Sequence, residues 1–177
     1  MHKSEHIVYS GKVLDMLTVA NEYCHFIESS KEKPLEDVVF YLQKILPLLY
    51  LKGSLLPDVK VSDTTMNERY VTEEAWEDVF NTLHTIFNDN DAYLCIDDPF
   101  ETAAEPVLEQ LSENFADIYQ DMKDFIILYQ KPLTASKENA VKECRQLFGT
   151  HWGKIIVKAS PVLHHLLTAL EKGKNEQ

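Results

Sequence analysis

From Val8 to Ser29 the polar residues Asp15, Thr18, Glu22 and His25 recur at spacings of three and four. Val13, Leu14, Leu17, Ala20, Cys24 and Ile27 occupy the other side. That period predicts an amphipathic helix. A second helix is expected to open at Pro34, a residue suited to the first helical position, and to carry "LEDVVFYLQKILPLLYLK". Pro47 lies inside it, and its missing N–H and its clash with the preceding turn predict a kink or an interruption. Residues 53–71 show no helical period and read as a long connection, with a short extended piece at Val59 to Val61. Thr72 then offers an N-cap hydroxyl, and Glu73 and Glu74 sit near the positive end of the dipole of a third helix through "AWEDVFNTLHTIF".

The stretch "NDNDAYLCIDDPFET" (88–102) reads as the exit loop of that helix. The fourth helix is expected to start near Glu105, with Pro106 in its first turn, and to run to about Gln130. Leu108, Leu111, Phe115, Ile118, Tyr119, Met122, Phe125, Ile126 and Tyr129 form its apolar stripe, a pattern that predicts core. A fifth helix, Ala135 to Phe148, should end at Gly149, the residue type favoured just past a helix C-terminus. The last should begin near Thr150 and be kinked or restarted by Pro161. No internal repeat, low-complexity tract or Pro/Gly linker divides the chain. The prediction is an all-α fold: a single compact bundle of about six helices in one domain over 1–177, bent at Pro47 and Pro161.

Composition agrees. Five glycines in 177 residues leave few tight turns, which suits long helices better than many short strands. A chain of this length buries roughly 70% of its unfolded surface and needs no staples. Cys24, Cys95 and Cys144 are odd in number and widely spaced, which argues for reduced thiols and a cytoplasmic setting. Lys12 and Asp15 interrupt any signal-peptide core near the start. The densest apolar run, "ILPLLYL" (45–51), falls far short of the roughly 20 residues that span a bilayer.

Three segments, "VANEYCHFIE" (19–28), "FADIYQDMKDF" (115–125) and "HWGKIIVKASPVLHHL" (151–166), resemble a family of uncharacterised helical proteins from bacteria of the Bacteroides type. The resemblance covers most of the chain. It implies a helical fold and a bacterial cytoplasm, and it carries over no catalytic residue.

Charge is distributed unevenly. Residues 70–122 hold fourteen carboxylates and no lysine or arginine, whereas the rest holds fifteen acids and seventeen bases; the net charge is −12. On the expected fourth helix Glu105, Glu109, Glu113, Asp117 and Asp121 follow one another at i, i+4. Four like-charge pairs there oppose the helix by about 1–2 kcal/mol in all. A solvated polar face is the simplest reading. Lys137, Lys142, Arg145, Lys154 and Lys158 are candidates to screen the ridge from within. Otherwise these five carboxylates form a surface for a basic protein partner, one that repels nucleic acid and anionic membrane. Mimicry of a DNA backbone fits less well, because the chain is not acidic throughout.

The candidate chemistry is sparse. An EF-hand opened at Asp89 places Asp91 correctly but Tyr93, Leu94 and Phe100 where an oxygen ligand, glycine and glutamate belong. A non-standard cation site from Asp89, Asp91, Asp97 and Asp98, with His84 from the preceding helix, is the metal-binding alternative. Glu22 and His25 make half of a dimetal-bundle motif with no second copy, so a solvated pair is expected. Arg145 and His151 have the loose spacing of HEPN-type ribonucleases, where the histidine does acid/base work and the arginine holds phosphate. His164 and His165 point about 100° apart and read as surface or boundary positions. Cys144, beside Lys142 and Arg145, is a weak candidate thiolate offset by Glu143, and a plain core or boundary thiol is the simpler reading of all three cysteines. No phosphate loop, nucleophile elbow or zinc spacing occurs, and no cofactor is expected. The leading expectation is a non-enzymatic cytoplasmic interaction module using the acidic segment or the 53–71 loop. A carboxylate metal protein or a HEPN-like ribonuclease is the alternative.

Overall fold

Leu111, Phe115, Ile118, Met122 and Phe125 lie buried along one helix that forms the axis of the molecule. In the computed structural model, which describes residues 6–96, 100 and 102–175, this is α4 (Leu111–Gln130). Around it pack α1 (Gly11–Glu28), α3 (Glu73–Phe87), α5 (Thr134–Thr150) and α6 (Trp152–Asn175), while α2 (Leu35–Ser54) closes the bundle against α1, α5 and α6. With neighbours on several sides, α4 buries polar positions too, among them Ser112, Asn114, Asp121 and Asp124.

Most expected helices form where their periodicity places them. The α1 helix buries Val13, Met16, Ala20, Tyr23, Cys24 and Ile27, but Leu14, expected inside, is exposed. Pro34 serves as the N-cap of α2 rather than its first residue. Pro47 and Pro161 lie inside helices that continue through them. In α2, Leu42, Leu46 and Leu49 are fully buried on either side of the proline, and that burial outweighs one lost backbone bond. Gly149 does not end α5. The helix continues to Thr150, no glycine takes a positive φ, and His151 is the cap. Thr72 caps α3 as expected, its hydroxyl accepting from the Ala75 N–H at 3.2 Å.

Two expectations are corrected. First, the fourth helix does not begin at Glu105. Residues 107–110 form a strand, β2 (Val107–Gln110), antiparallel to β1 (Ala92–Cys95), with Tyr93 opposite Glu109 and Leu94 opposite Leu108. Helix α4 opens only after the hairpin, where Asp91 accepts from the Ser112 N–H at 2.7 Å and the Ser112 hydroxyl at 2.6 Å.

Second, the 53–71 connection carries no strand at Val59 to Val61, only a 3-10 turn at Thr64–Met66. It is strapped to the bundle. Buried Glu138 accepts from the Ser62 N–H and hydroxyl, at 2.7 and 2.6 Å, and Asp124 accepts from the Tyr70 and Val71 N–H groups at 2.7 and 2.8 Å. Asn139 donates to the Asp63 carbonyl at 2.7 Å. These side chains supply the partners that an irregular backbone needs against a packed surface.

Candidate functional site

Asp117, Asp121 and Asp124 share one face of α4, because steps of four and three residues bring side chains over one another. Trp76 of α3 donates its indole N–H to Asp117 at 2.9 Å. His151 is the single residue between α5 and α6. Its N–H closes α5 on the Leu147 carbonyl, and its own carbonyl opens α6 by accepting from Lys154 and Ile155. Its ring bridges two aspartates, with Nδ1 at 2.6 Å from Asp121 and Nε2 at 3.6 Å from Asp117. Arg69 enters from the strap, 3.6 Å from both Asp121 and Asp124 and 3.0 Å from Glu143, which also accepts from Asn67.

The carboxylates of Asp117 and Asp121 hold the His151 imidazole at a pKa of about 10, against the opposing effect of its partial burial. A shift in that direction favours the protonated ring at neutral pH, a cation between two carboxylates. Burial pushes the Asp124 carboxyl up, though the Tyr70 and Val71 N–H groups and Arg69 pull the other way. This cluster joins two helices and the strap to α4. Arg145, its supposed ribonuclease partner, instead pairs with Asp58 at 3.2 Å, so the Arg145 and His151 pair takes separate partners.

The acidic ridge divides. Glu105 and Glu113 are exposed, Asp117 is half-buried and Asp121 is buried. Glu109 sits on β2, off the helix. It accepts from Lys158 at 2.9 Å, the Cys95 thiol at 3.1 Å and the Tyr93 hydroxyl at 3.0 Å. Burial would raise the Glu109 pKa, but these donors together with Asn114 draw it down to about 2. Of the expected screening bases, Lys158 is the one that reaches the ridge. Arg69 and His151, not anticipated in that role, do the remaining neutralisation.

The loop carboxylates do different work. Asp89 is exposed, whereas Asp91 is buried, pairs with His84 at 2.7 Å and caps α4. Asp97 and Asp98 lie outside the described residues. Among the described residues no group of three His, Cys, Asp or Glu side chains is arranged to hold a metal ion. Glu22, His25, His164 and His165 are exposed. Cys144 is buried, which drives its thiol well above the ordinary range and fits the core-thiol reading rather than a reactive thiolate.

The hairpin was not foreseen, although "AYLC" and "VLEQ" flank a stretch containing two prolines. Its inner face packs Tyr93 against Asn114 and Glu109. The outer face presents Leu94 and Leu108, 67% and 68% exposed, with half-exposed Ile96 following Leu94.

No helix among the described residues is long and apolar enough to cross a membrane. The fold is similar to the crystal structure of protein BF1032 from Bacteroides fragilis, a structural genomics target. That likeness has a TM-score of 0.81 and 34% identity over 91% of this chain and 95% of that one. No curated protein matches the chain. A family model, whose description is a domain of unknown function (DUF5063), matches residues 7–169, and the chain belongs to that family.

Proposed function

We propose that the chain is a non-enzymatic protein-interaction module whose docking surface is the outer face of the hairpin, and that the partner presents basic side chains around an apolar stretch. The observation that carries this reading is the Leu94 and Leu108 pair. Two directly opposed leucines, each about two-thirds exposed, make an apolar face in the most acidic part of the chain. Apolar area of this kind rimmed by polar groups marks interaction sites.

Charge complementarity supports a basic partner. Asp89, Glu105 and Glu113 are exposed and form no ion pair with a described residue, whereas Glu109, Asp117 and Asp121 are neutralised within the fold. The expected five-residue ridge thus contracts to Glu105 and Glu113 flanking the hairpin. The odd number and wide spacing of the cysteines, Cys24, Cys95 and Cys144, support a cytoplasmic setting.

A peptide-display selection on the purified protein, counter-selected with a Leu94→Lys/Leu108→Lys variant, tests the reading. Selected peptides should combine lysine or arginine with apolar residues and should lose binding to the variant. Peptides that bind the variant equally well, or that carry no excess of basic residues, would sink it.

A further inference from the structure

Arg69 and two of the carboxylates beneath it do not quite meet. Its Nη1 stands 3.6 Å from Asp121 Oδ1 and 3.6 Å from Asp124 Oδ2, beyond direct hydrogen-bond range, whereas its Nη2 reaches Glu143 at 3.0 Å. Asp124 is only 8% exposed, and its two oxygens have different surroundings. Oδ1 accepts from the Tyr70 and Val71 N–H groups at 2.7 and 2.8 Å, while Oδ2 is buried and has no hydrogen-bond donor among the described residues. Buried polar atoms are nearly always hydrogen-bonded, so this oxygen calls for a donor.

A hollow of about 20 Å³ lies among these groups, between the strap, α4 and α5. Asp121, Asp124 and Leu128 on α4, and Ala140 and Cys144 on α5, follow one another at steps of three and four, which brings each set onto one face of its helix. Ala140 is the smallest side chain in the wall. A cavity of roughly 10–15 Å³ on this measure suffices for one water, provided that two to four polar partners line it. This hollow meets both conditions.

The lining also selects the charge of the occupant. Arg69 offers only N–H donors, and Asp121 and Asp124 offer only acceptors when ionised. A cation would suit the carboxylates but be repelled by the guanidinium, and no group of three His, Cys, Asp or Glu side chains among the described residues is arranged to hold a metal ion. An anion would be repelled by Asp121, Asp124 and Glu143. A neutral molecule that both donates and accepts fits all three atoms.

We propose that this hollow binds one ordered water molecule, which accepts from Arg69 Nη1 and donates to Asp124 Oδ2 and Asp121 Oδ1. The water turns two 3.6 Å gaps into hydrogen bonds and supplies the missing donor. Because the other oxygen of Asp121 lies 2.6 Å from His151 Nδ1, the same water links the strap to the α5–α6 corner. The site belongs to the fastening on α4 and does not rest on the interaction reading.

A high-resolution crystal structure of the whole chain should show a density peak roughly 2.6–3.2 Å from all three atoms. Crystals soaked in rubidium chloride should give no anomalous signal at that point. In solution, oxygen-17 relaxation dispersion reports long-lived internal waters, and Arg69→Met, a change at a half-exposed side chain, should lose one of those found in the parent. Three results would overturn the proposal: no peak in the parent, a rubidium ion in the hollow, or a variant that keeps every long-lived water.

Discussion

His151 Nδ1 lies 2.6 Å from Asp121 Oδ2, joining residues thirty positions apart and locking the α5–α6 corner onto the middle of α4. The same ring faces Asp117, and Arg69 sits on the far side of Asp121. A run of carboxylates that reads as a surface in the sequence is in large part an internal fastening.

A pH dependence follows. The folded-state pKa of His151, about 10, lies above its ordinary value near 6.5. A raised histidine contributes stability that is complete below the unfolded pKa and is lost as pH rises through the folded one. Melting temperature should therefore fall between about pH 6.5 and 10. Solvent screening of a side chain 40% exposed holds the effect to about 1–2 kcal/mol. His151→Ala should be less stable at pH 6 and should flatten this part of the profile, as thermal melts at closely spaced pH values would show.

Gly53 of α2 is a close-approach glycine. A Cβ there would stand 2.1 Å from Trp152 Cη2, and the fully buried indole is pinned by its N–H bond to the Cys144 carbonyl at 3.1 Å. Gly53→Ala should cost about 1–3 kcal/mol through overpacking. Gly149→Ala, where the added carbon meets nothing within 4 Å inside a helix, should instead be neutral or stabilise by up to about 1 kcal/mol. Urea unfolding of the two variants checks the opposite signs.

Asp91 acts as a cap for α4. Removing it leaves the Ser112 N–H and hydroxyl and His84 without their acceptor, so Asp91→Ala should cost about 2–3 kcal/mol. Calcium or magnesium at millimolar levels should leave the melting temperature of the parent unchanged, because this carboxylate is already satisfied. A cation-dependent rise that vanishes in Asp89→Ala would support the metal reading of the loop.

Glu138 ties down the strap between α2 and α3. Its carboxylate is pulled below the ordinary range by the Ser62 hydroxyl, against its burial, with the Ser62 N–H and His6 assisting. Glu138→Ala should lose about 2 kcal/mol and loosen the strap locally. Limited trypsin digestion should then cut at Lys60 faster than in the parent; an unchanged cleavage pattern would mean that the strap is held by Asp124 and Asn139 alone.

The helices were legible because each carries its own evidence. The period of α1, the cap at Thr72 and the stripe from Leu111 to Tyr129 are local patterns, and a helix makes its backbone bonds within itself. The overall bundle followed, because amphipathic stripes with few turn residues leave few other ways to bury the apolar area. Pro47 and Pro161 lie inside α2 and α6, where the sequence placed them within helices, and burial on the inner face carries both helices through.

What only the tertiary structure decided is everything that depends on a partner distant in sequence. Strand β2 reads locally as the first turn of α4. It becomes a strand because Tyr93, Asn114 and Lys158 engage Glu109 and because Asp91 caps the helix at Ser112. Asp117 and Asp121 read as solvated positions, yet His151 and Arg69, far along the chain, neutralise them. The sequence by itself determined the helices, their order and the acidic balance of the middle segment, because those are local or additive properties. Which carboxylates face solvent, and that Leu94 and Leu108 stand opposed and exposed on a hairpin, was decided by long-range packing, where burial must be matched by a hydrogen bond or an opposite charge.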